Sequence, residues 1–203
     1  MHTNNILKSL SLIVFAILFL NCKGEKKENN STEALEATEE IAMDSETEEN
    51  DEDPKVLEIS LSPKSESDVA GTVIFTEESG MVTMVANMTG LSEGAHAIHI
   101  HEKADCSSPD GKSAGGHWNP TMQPHGKWGD TKGYHKGDIG NFTSDADGKG
   151  SITFATNEWC IGCEDEKANI VGKAIIVHQG KDDYTSQPSG DAGSRVSCGG
   201  VIQ

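Results

Sequence analysis

From Lys55 onward the apolar residues come only in short runs, and that spacing bounds the fold more tightly than any single motif. Seven runs, 56–61, 69–75, 81–88, 95–101, 139–143, 151–155 and 173–178, are each five to eight residues long. No stretch before His178 is long enough for an amphipathic helix. The runs are punctuated by Glu-Glu-Ser-Gly at 77–80, Ser-Glu-Gly at 92–94 and Ala-Asp-Gly-Lys-Gly at 146–150, all of it turn chemistry. The expectation is therefore an all-β antiparallel sandwich or barrel of seven or eight strands. Gly148-Lys149-Gly150 belongs to one of the turns and is not read as a phosphate loop.

Two connections break this rhythm. Between His101 and Ile139 the chain runs through nearly forty residues rich in Gly, Pro, Ser, Lys and Asp, and 179–194 forms a second loop rich in Gly, Asp and Ser. Loops that long in a compact domain are functional or disordered. The histidines suggest which. Seven of the eight in the chain fall in the 83 residues from His96 to His178. His99 and His101 are two apart in a β-prone run, so on a strand both imidazoles face one side. His117, His125, His135 and Asp138 lie in the first long loop, and His178 closes the run Ala-Ile-Ile-Val-His. Neutral imidazole suits zinc, copper, iron and nickel, and a metal supplies the order that the loop's thin apolar content cannot. A partly exposed strand face would explain one alternating pair but not the whole set.

At 203 residues the chain holds one ordinary domain and appendages. Lys8 precedes the apolar run 10–20, broken only by Ser11, which is too short to span a bilayer and suits a secretory signal over 1–21. The run ends in Leu-Phe-Leu-Asn-Cys, which looks like a bacterial lipoprotein signal in which Cys22 becomes the acylated first residue. Asn21 departs from the small residue usual before that cysteine, and an ordinary signal with an incidental cysteine is the competing reading. Residues 22–54 then read as a lipidated, disordered acidic stalk, since 23–54 hold thirteen Asp or Glu against three Lys and no aromatic residue. The stalk carries about ten of the seventeen net negative charges and leaves the domain at 55–203 near −8. That balance excludes a basic nucleic-acid surface, and nothing in the sequence specifies an oligomer. The expected location is the bacterial periplasm or cell surface, with the membrane as partner through the lipid. Lys23 after the cysteine favours the outer membrane by analogy with lipoprotein sorting.

His-Ala-Ile-His-Ile-His-Glu at 96–102, Ser-Ala-Gly-Gly-His-Trp-Asn-Pro at 113–120, His-Lys-Gly-Asp-Ile-Gly-Asn at 135–141 and Gly-Asp-Ala-Gly-Ser-Arg-Val-Ser-Cys-Gly-Gly-Val-Ile at 190–202 occur together. In order and approximate spacing they resemble the copper/zinc superoxide dismutases, over essentially all of 55–203. The resemblance implies an eight-stranded Greek-key barrel with two long functional loops. It implies one copper per chain, on His99, His101, His117 and His178, and one zinc, on His117, His125, His135 and Asp138, with His117 shared. The reaction implied is dismutation of superoxide, with Arg195 drawing the anion in and His117 releasing copper and taking up a proton on reduction. Asp182 falls where the family bridges a copper histidine and a zinc histidine, here His99 and His125, and His96 takes a supporting hydrogen-bonding role. Lys181 reads as a solvated surface lysine.

By the same resemblance Cys106 and Cys198 form the family's intrachain disulfide, which suits an exported protein. Cys160 and Cys163, in Trp-Cys-Ile-Gly-Cys-Glu, have no counterpart in the pattern. They read first as a small local disulfide, with a redox-active pair or an accessory metal site as alternatives. Trp118, Trp128 and Trp159 are expected to be packing residues. A different class of function stands beside the enzyme: a non-enzymatic copper-binding or copper-delivery lipoprotein of the same fold.

Overall fold

The computed structural model describes residues 53–203, so the signal segment, Cys22 and the acidic segment as far as 52 lie outside the described residues. Eight strands run β1 (Lys55–Pro63), β2 (Ala70–Glu78), β3 (Met81–Thr89), β4 (Gly94–His101), β5 (Gly140–Ser144), β6 (Gly150–Thr156), β7 (Ala174–His178) and β8 (Arg195–Gly200). They close into an antiparallel barrel in the order β1-β2-β3-β6-β5-β4-β7-β8. Within it β7-β4-β5-β6 is a Greek key, three consecutive strands with the fourth returned beside the first. The seven runs seen in the sequence are the first seven strands, each within three residues of its expected ends. The eighth has Ser, Cys and two Gly in six residues, and no alternation marks it in the sequence.

The barrel has two unlike halves. β1 and β3 alternate between buried and exposed positions, as strands with one wet face do, whereas β4 and β7 are buried almost throughout. Their inner residues Ile98, Ile100, Ile175 and Val177 join Val73, Phe75 and Met84 in the barrel core. Phe75 and Met84 are partners across β2 and β3, both fully buried, and each contributes roughly 1.5–3 kcal/mol. The outer residues Ala174, Ile176 and Cys198 pack instead beneath Ala114 of the first long loop. Register decides where the histidines go. His99 pairs with Ile176 and His101 with Ala174, so both stand on the outer face, and His178 follows Ile176 by two. His96 is out of phase with them and stacks on Phe142 at 5.8 Å.

A bulge completes that face. β8 pairs Cys198 with Ile176 and Ser197 with Val177, and then Arg195, not Val196, meets His178. The extra residue turns Val196 into the core and returns Arg195 to the side of the histidines, the re-aiming that bulges beside functional sites produce. Cys198 is bonded to Cys106, which ties the long loop to this strand.

At the other end of the barrel the chain enters β1 at Lys55, whose ammonium lies 3.6 Å from Glu77 and 3.5 Å from the Ile161 carbonyl. Ile161 belongs to the β6–β7 connection, residues 157–173, a third long loop that the sequence reading did not single out. It is a stopper. Trp159, Ile161 and Ile170 are buried in the barrel core, and a Cys160–Cys163 disulfide closes the first turn.

Candidate metal centre

The first long loop returns along the free edge of β4 and pairs with it. Glu102 N–H donates to the Gly116 carbonyl, Trp118 N–H to Ile100 and Ile100 N–H to Gly137, and His117 is thereby set against His101. Gly137 is needed for the approach, because a Cβ there would stand 2.2 Å from the Ile100 carbonyl oxygen. With Gly137 held in place, the turn from His135 to Asp138 is closed by Asp138 N–H donating to the His135 carbonyl.

Two groups of buried side chains result, His99, His101, His117 and His178, and His117, His125, His135 and Asp138. In each, one nitrogen or oxygen per residue lies within 4.8 Å of the others. Bonds of about 2.0–2.1 Å to a common ion close that spread with small ring rotations. Six buried ring nitrogens have no hydrogen-bond partner: His99 Nδ1, His101 Nε2, His117 Nε2 and His178 Nε2 in the first group, His125 Nδ1 and His135 Nδ1 in the second. A buried nitrogen without a partner costs on the order of 1–3 kcal/mol, and six at one place need a reason. The Asp138 carboxylate lies 2.8 Å from His117 Nδ1, 3.0 Å from His125 Nδ1 and 3.3 Å from His135 Nδ1, the last two out of line for hydrogen bonds. Three imidazoles and a carboxylate on one point suit a closed four-ligand zinc site, and four imidazoles suit copper. His117 faces both.

The other nitrogen of each ring fixes the choice. His99 Nε2 and His125 Nε2 each meet one oxygen of Asp182 at 2.9 Å, so a single carboxylate spans the two groups. His101 Nδ1 faces the Gly115 carbonyl at 3.0 Å and His178 Nδ1 the Gly193 carbonyl at 3.4 Å. Partners of this kind set the tautomer and the orientation of a ligand. His96 Nδ1 faces the His178 carbonyl at 3.0 Å and its Nε2 lies against Ser92, 3.3 Å from the hydroxyl and 2.8 Å from the carbonyl, a brace behind β7. Lys181 is exposed.

Residues to which the sequence reading gave no role hold this arrangement. Gln187 donates to the His125 carbonyl and accepts from its N–H, both at 2.9 Å, joining the two long loops. Asn141 makes the same double bond to the backbone of Asp182, at 2.7 and 2.8 Å. Gly190, at φ 68, lets the second loop close, since a Cβ there would fall 1.8 Å from Asp182 Oδ1. Pairings between segments tens of residues apart leave no local pattern in a sequence.

Burial, then the like charges of neighbouring histidines, hold His101 and His178 well below their ordinary range. Burial takes His117 down to about 4 despite its bond to Asp138. Burial also disfavours charge on His125, but the Asp138 carboxylate beside it and the hydrogen bond to Asp182 outweigh that and push this ring up to about 9. Burial would raise both aspartates, yet their histidine partners hold them well below the usual carboxylate range. In the metal-free protein these shifts oppose one another. Below about pH 6.5 the unfolded chain takes up protons that His101, His117 and His178 refuse when folded, a loss of up to ~1.4 kcal/mol per pH unit for each. Further acidification removes what Asp138 and Asp182 contribute. The contribution of His125 is complete below about 6.5 and is lost as pH rises through about 9. Chelator-stripped protein is thus expected to be most stable near pH 6.5, and denaturant unfolding between pH 4 and 10 checks it.

Arg195 stands at the rim, half-buried, donating to the Gly111 carbonyl at 2.8 Å. Its own pKa is drawn down by burial and back up by Asp110. After burial and the neighbouring histidines, its charge is a further cause that holds His101 and His178 low, so it acts on the face where their open nitrogens lie.

The family described as copper/zinc superoxide dismutase (SODC) matches residues 69–202. Superoxide dismutase [Cu-Zn] 2 of Aquifex aeolicus is 36% identical over 139 residues, 66% of this chain and 80% of the relative. The extracellular superoxide dismutase [Cu-Zn] of Caenorhabditis elegans is 32% identical over 144 residues, 68% of this chain and 63% of the relative. The superoxide dismutase-like protein YojM of Bacillus subtilis is 38% identical over 108 residues, 52% of this chain and 54% of the relative. Among solved structures, a SOD-like protein from Bacillus subtilis superposes with a TM-score of 0.64 at 30% identity, covering 71% of this chain and 97% of that one. The clock protein EA4 gives 0.63 at 31%, covering 73% and 96%.

Proposed function

The chain belongs to the copper/zinc superoxide dismutase family, and from that premise we propose that it dismutates superoxide at copper held by His99, His101, His117 and His178, beside zinc held by His117, His125, His135 and Asp138. The observation that carries this reading is the convergence of unpartnered ring nitrogens on two points that share His117. The reading is of one copper and one zinc per chain, one for each group. Copper supplies one-electron chemistry: one superoxide gives up an electron and leaves as dioxygen, and a second takes up that electron with two protons and leaves as hydrogen peroxide. Zinc bound by the second quartet would undergo no redox change of its own and would hold His117, His125, His135 and Asp138 of the loop together.

The chain's residues do the rest. His117 has Nε2 on the copper side and Nδ1 toward Asp138, so one ring joins the two halves of the centre. When Nε2 is free of metal it is the nitrogen able to hold a proton where peroxide forms. Asp182 keeps His99 and His125 in the tautomers that leave their Nδ1 atoms open. Arg195 offers a permanent positive charge in a domain whose net charge of about −8 repels an anion. The Cys106–Cys198 bond holds the segment whose Gly111 carbonyl fixes that guanidinium.

Metal analysis of the purified chain together with a superoxide-consumption assay tests the proposal. The expected result is one copper and one zinc per chain and turnover that vanishes when copper is removed. A copper-loaded chain with both quartets filled but no turnover would instead establish a copper-binding or copper-delivery protein of this fold.

A further inference from the structure

The stopper loop grips both sequence neighbours of His135. Tyr134 donates its hydroxyl to Glu158 Oε1 at 2.6 Å. Lys136 reaches Glu158 Oε2 at 2.9 Å and the Glu158 carbonyl at 3.2 Å, and the Trp159 indole N–H donates to the Lys136 carbonyl at 2.9 Å. The residues immediately before and after one candidate zinc ligand are thus held by two adjacent residues of another loop. No member of the copper group is touched by Glu158 or Trp159 in any of these bonds.

The grip has a firm base. Trp159 is buried, with its ring 5.0 Å from Phe154 and 5.7 Å from Trp128, and Trp128 lies 4.9 Å from Tyr134. The next residue is Cys160, bonded to Cys163. Around that disulfide the backbone is tied down by Cys160 N–H to Ala168, by Ile170 N–H to Cys160, and by the Asn169 side chain, which donates to the Cys163 carbonyl and accepts from Gly162 and Val171. Cys163 is only half-buried, and Glu164, Asp165 and Glu166 beside it are exposed. A bond that merely closed a surface turn would have no consequence for the metals. This one is adjacent in sequence to the residues that hold His135.

We propose that Glu158 and Trp159 position His135, that the Cys160–Cys163 disulfide latches them, and that opening the latch with a dithiol reductant loosens the zinc quartet while leaving the copper quartet in place. The inference rests on the metal assignment above. Thiolate attack on the half-buried Cys163 sulfur breaks the Cys160–Cys163 bond and forms a mixed disulfide, with Cys160 leaving as thiolate. The second thiol of the reductant then displaces Cys163, so two electrons and two protons pass to the cysteines and the reductant ends as a disulfide. Glu158 and Trp159 are positioning residues, since neither is itself a ligand.

A dithiol can also reach Cys106–Cys198, so variants separate the two bonds. Zinc and copper dissociation constants are measured by chelator competition on the full chain, alongside the visible spectrum of cobalt(II) placed in the zinc site. Glu158→Gln, Tyr134→Phe and the double variant Cys160→Ala/Cys163→Ala are compared with the unaltered protein. Glu158→Gln and the double cysteine variant are expected to weaken zinc roughly tenfold or more and alter the cobalt spectrum, with copper affinity unchanged. Tyr134→Phe is expected to show a smaller change of the same kind. Unchanged zinc affinity, or zinc and copper falling together with the melting temperature, overturns the proposal. Should the double cysteine variant not fold, the two substitutions that leave the cysteines intact decide. An unaltered protein that binds no zinc sinks the metal assignment itself, whereas normal zinc binding with indifferent variants sinks only the clamp.

Discussion

His117→Ala is expected to cost the protein copper and zinc together, whereas His178→Ala costs copper alone. His117 presents Nε2 to the group that includes His99, His101 and His178 and Nδ1 to the Asp138 carboxylate 2.8 Å away. His178 has only one nitrogen in play, because its Nδ1 faces the Gly193 carbonyl. Alanine at 117 leaves three ligands on each side. It also strips Asp138 of one of the partners that keep its carboxylate ionised. Activity should fall to the background rate in both variants, so the metal contents are the discriminating measurement. Equal zinc loss in the two would refute the shared ligand.

Arg195→Glu is the second large effect, and it acts on arrival rather than on the metals. The guanidinium hangs on the Gly111 carbonyl and makes no bond to any of the seven candidate ligands, so both metals should remain. What changes is the field at the rim, already bordered by Asp110. Focused fields alter the on-rate of a charged substrate over a range of roughly 10 to 10³. The variant's kcat/KM at low ionic strength should fall within it. The gap should narrow as salt shortens the Debye length from about 30 Å at 0.01 M to about 8 Å at 0.15 M. A variant equal to the parent at low salt would remove Arg195 from the substrate's path.

That His99 and His101 share a face could be seen in the sequence because a strand repeats every two residues, and their register against Ala174 and Ile176 shows that face to be the outer one. The division of the remaining ligands between two metals rested on resemblance, since residues in an irregular loop obey no period. The bulge at Val196 had no sequence mark, and without it Arg195 would point into the core with Ser197. Gln187 was silent, and Asn141 and Gly190, though inside two of the motifs, carried no visible role: Gln187 and Asn141 act tens of positions away through backbone atoms common to every residue type, and Gly190 acts by lacking a Cβ against Asp182. Cys160 and Cys163 read as a local disulfide and are bonded as one, yet their connection to His135 runs through Glu158 and Trp159, which no spacing rule links to a histidine 23 and 24 positions earlier.

The entry of the chain at Lys55 gives the molecule a front and a back. Seven residues of β1, about 24 Å of extended chain, separate Lys55 from Ser62, which is level with Cys198, and Arg195 lies beyond that. The end at which the chain enters therefore carries the stopper loop, and the opposite end carries the arginine rim.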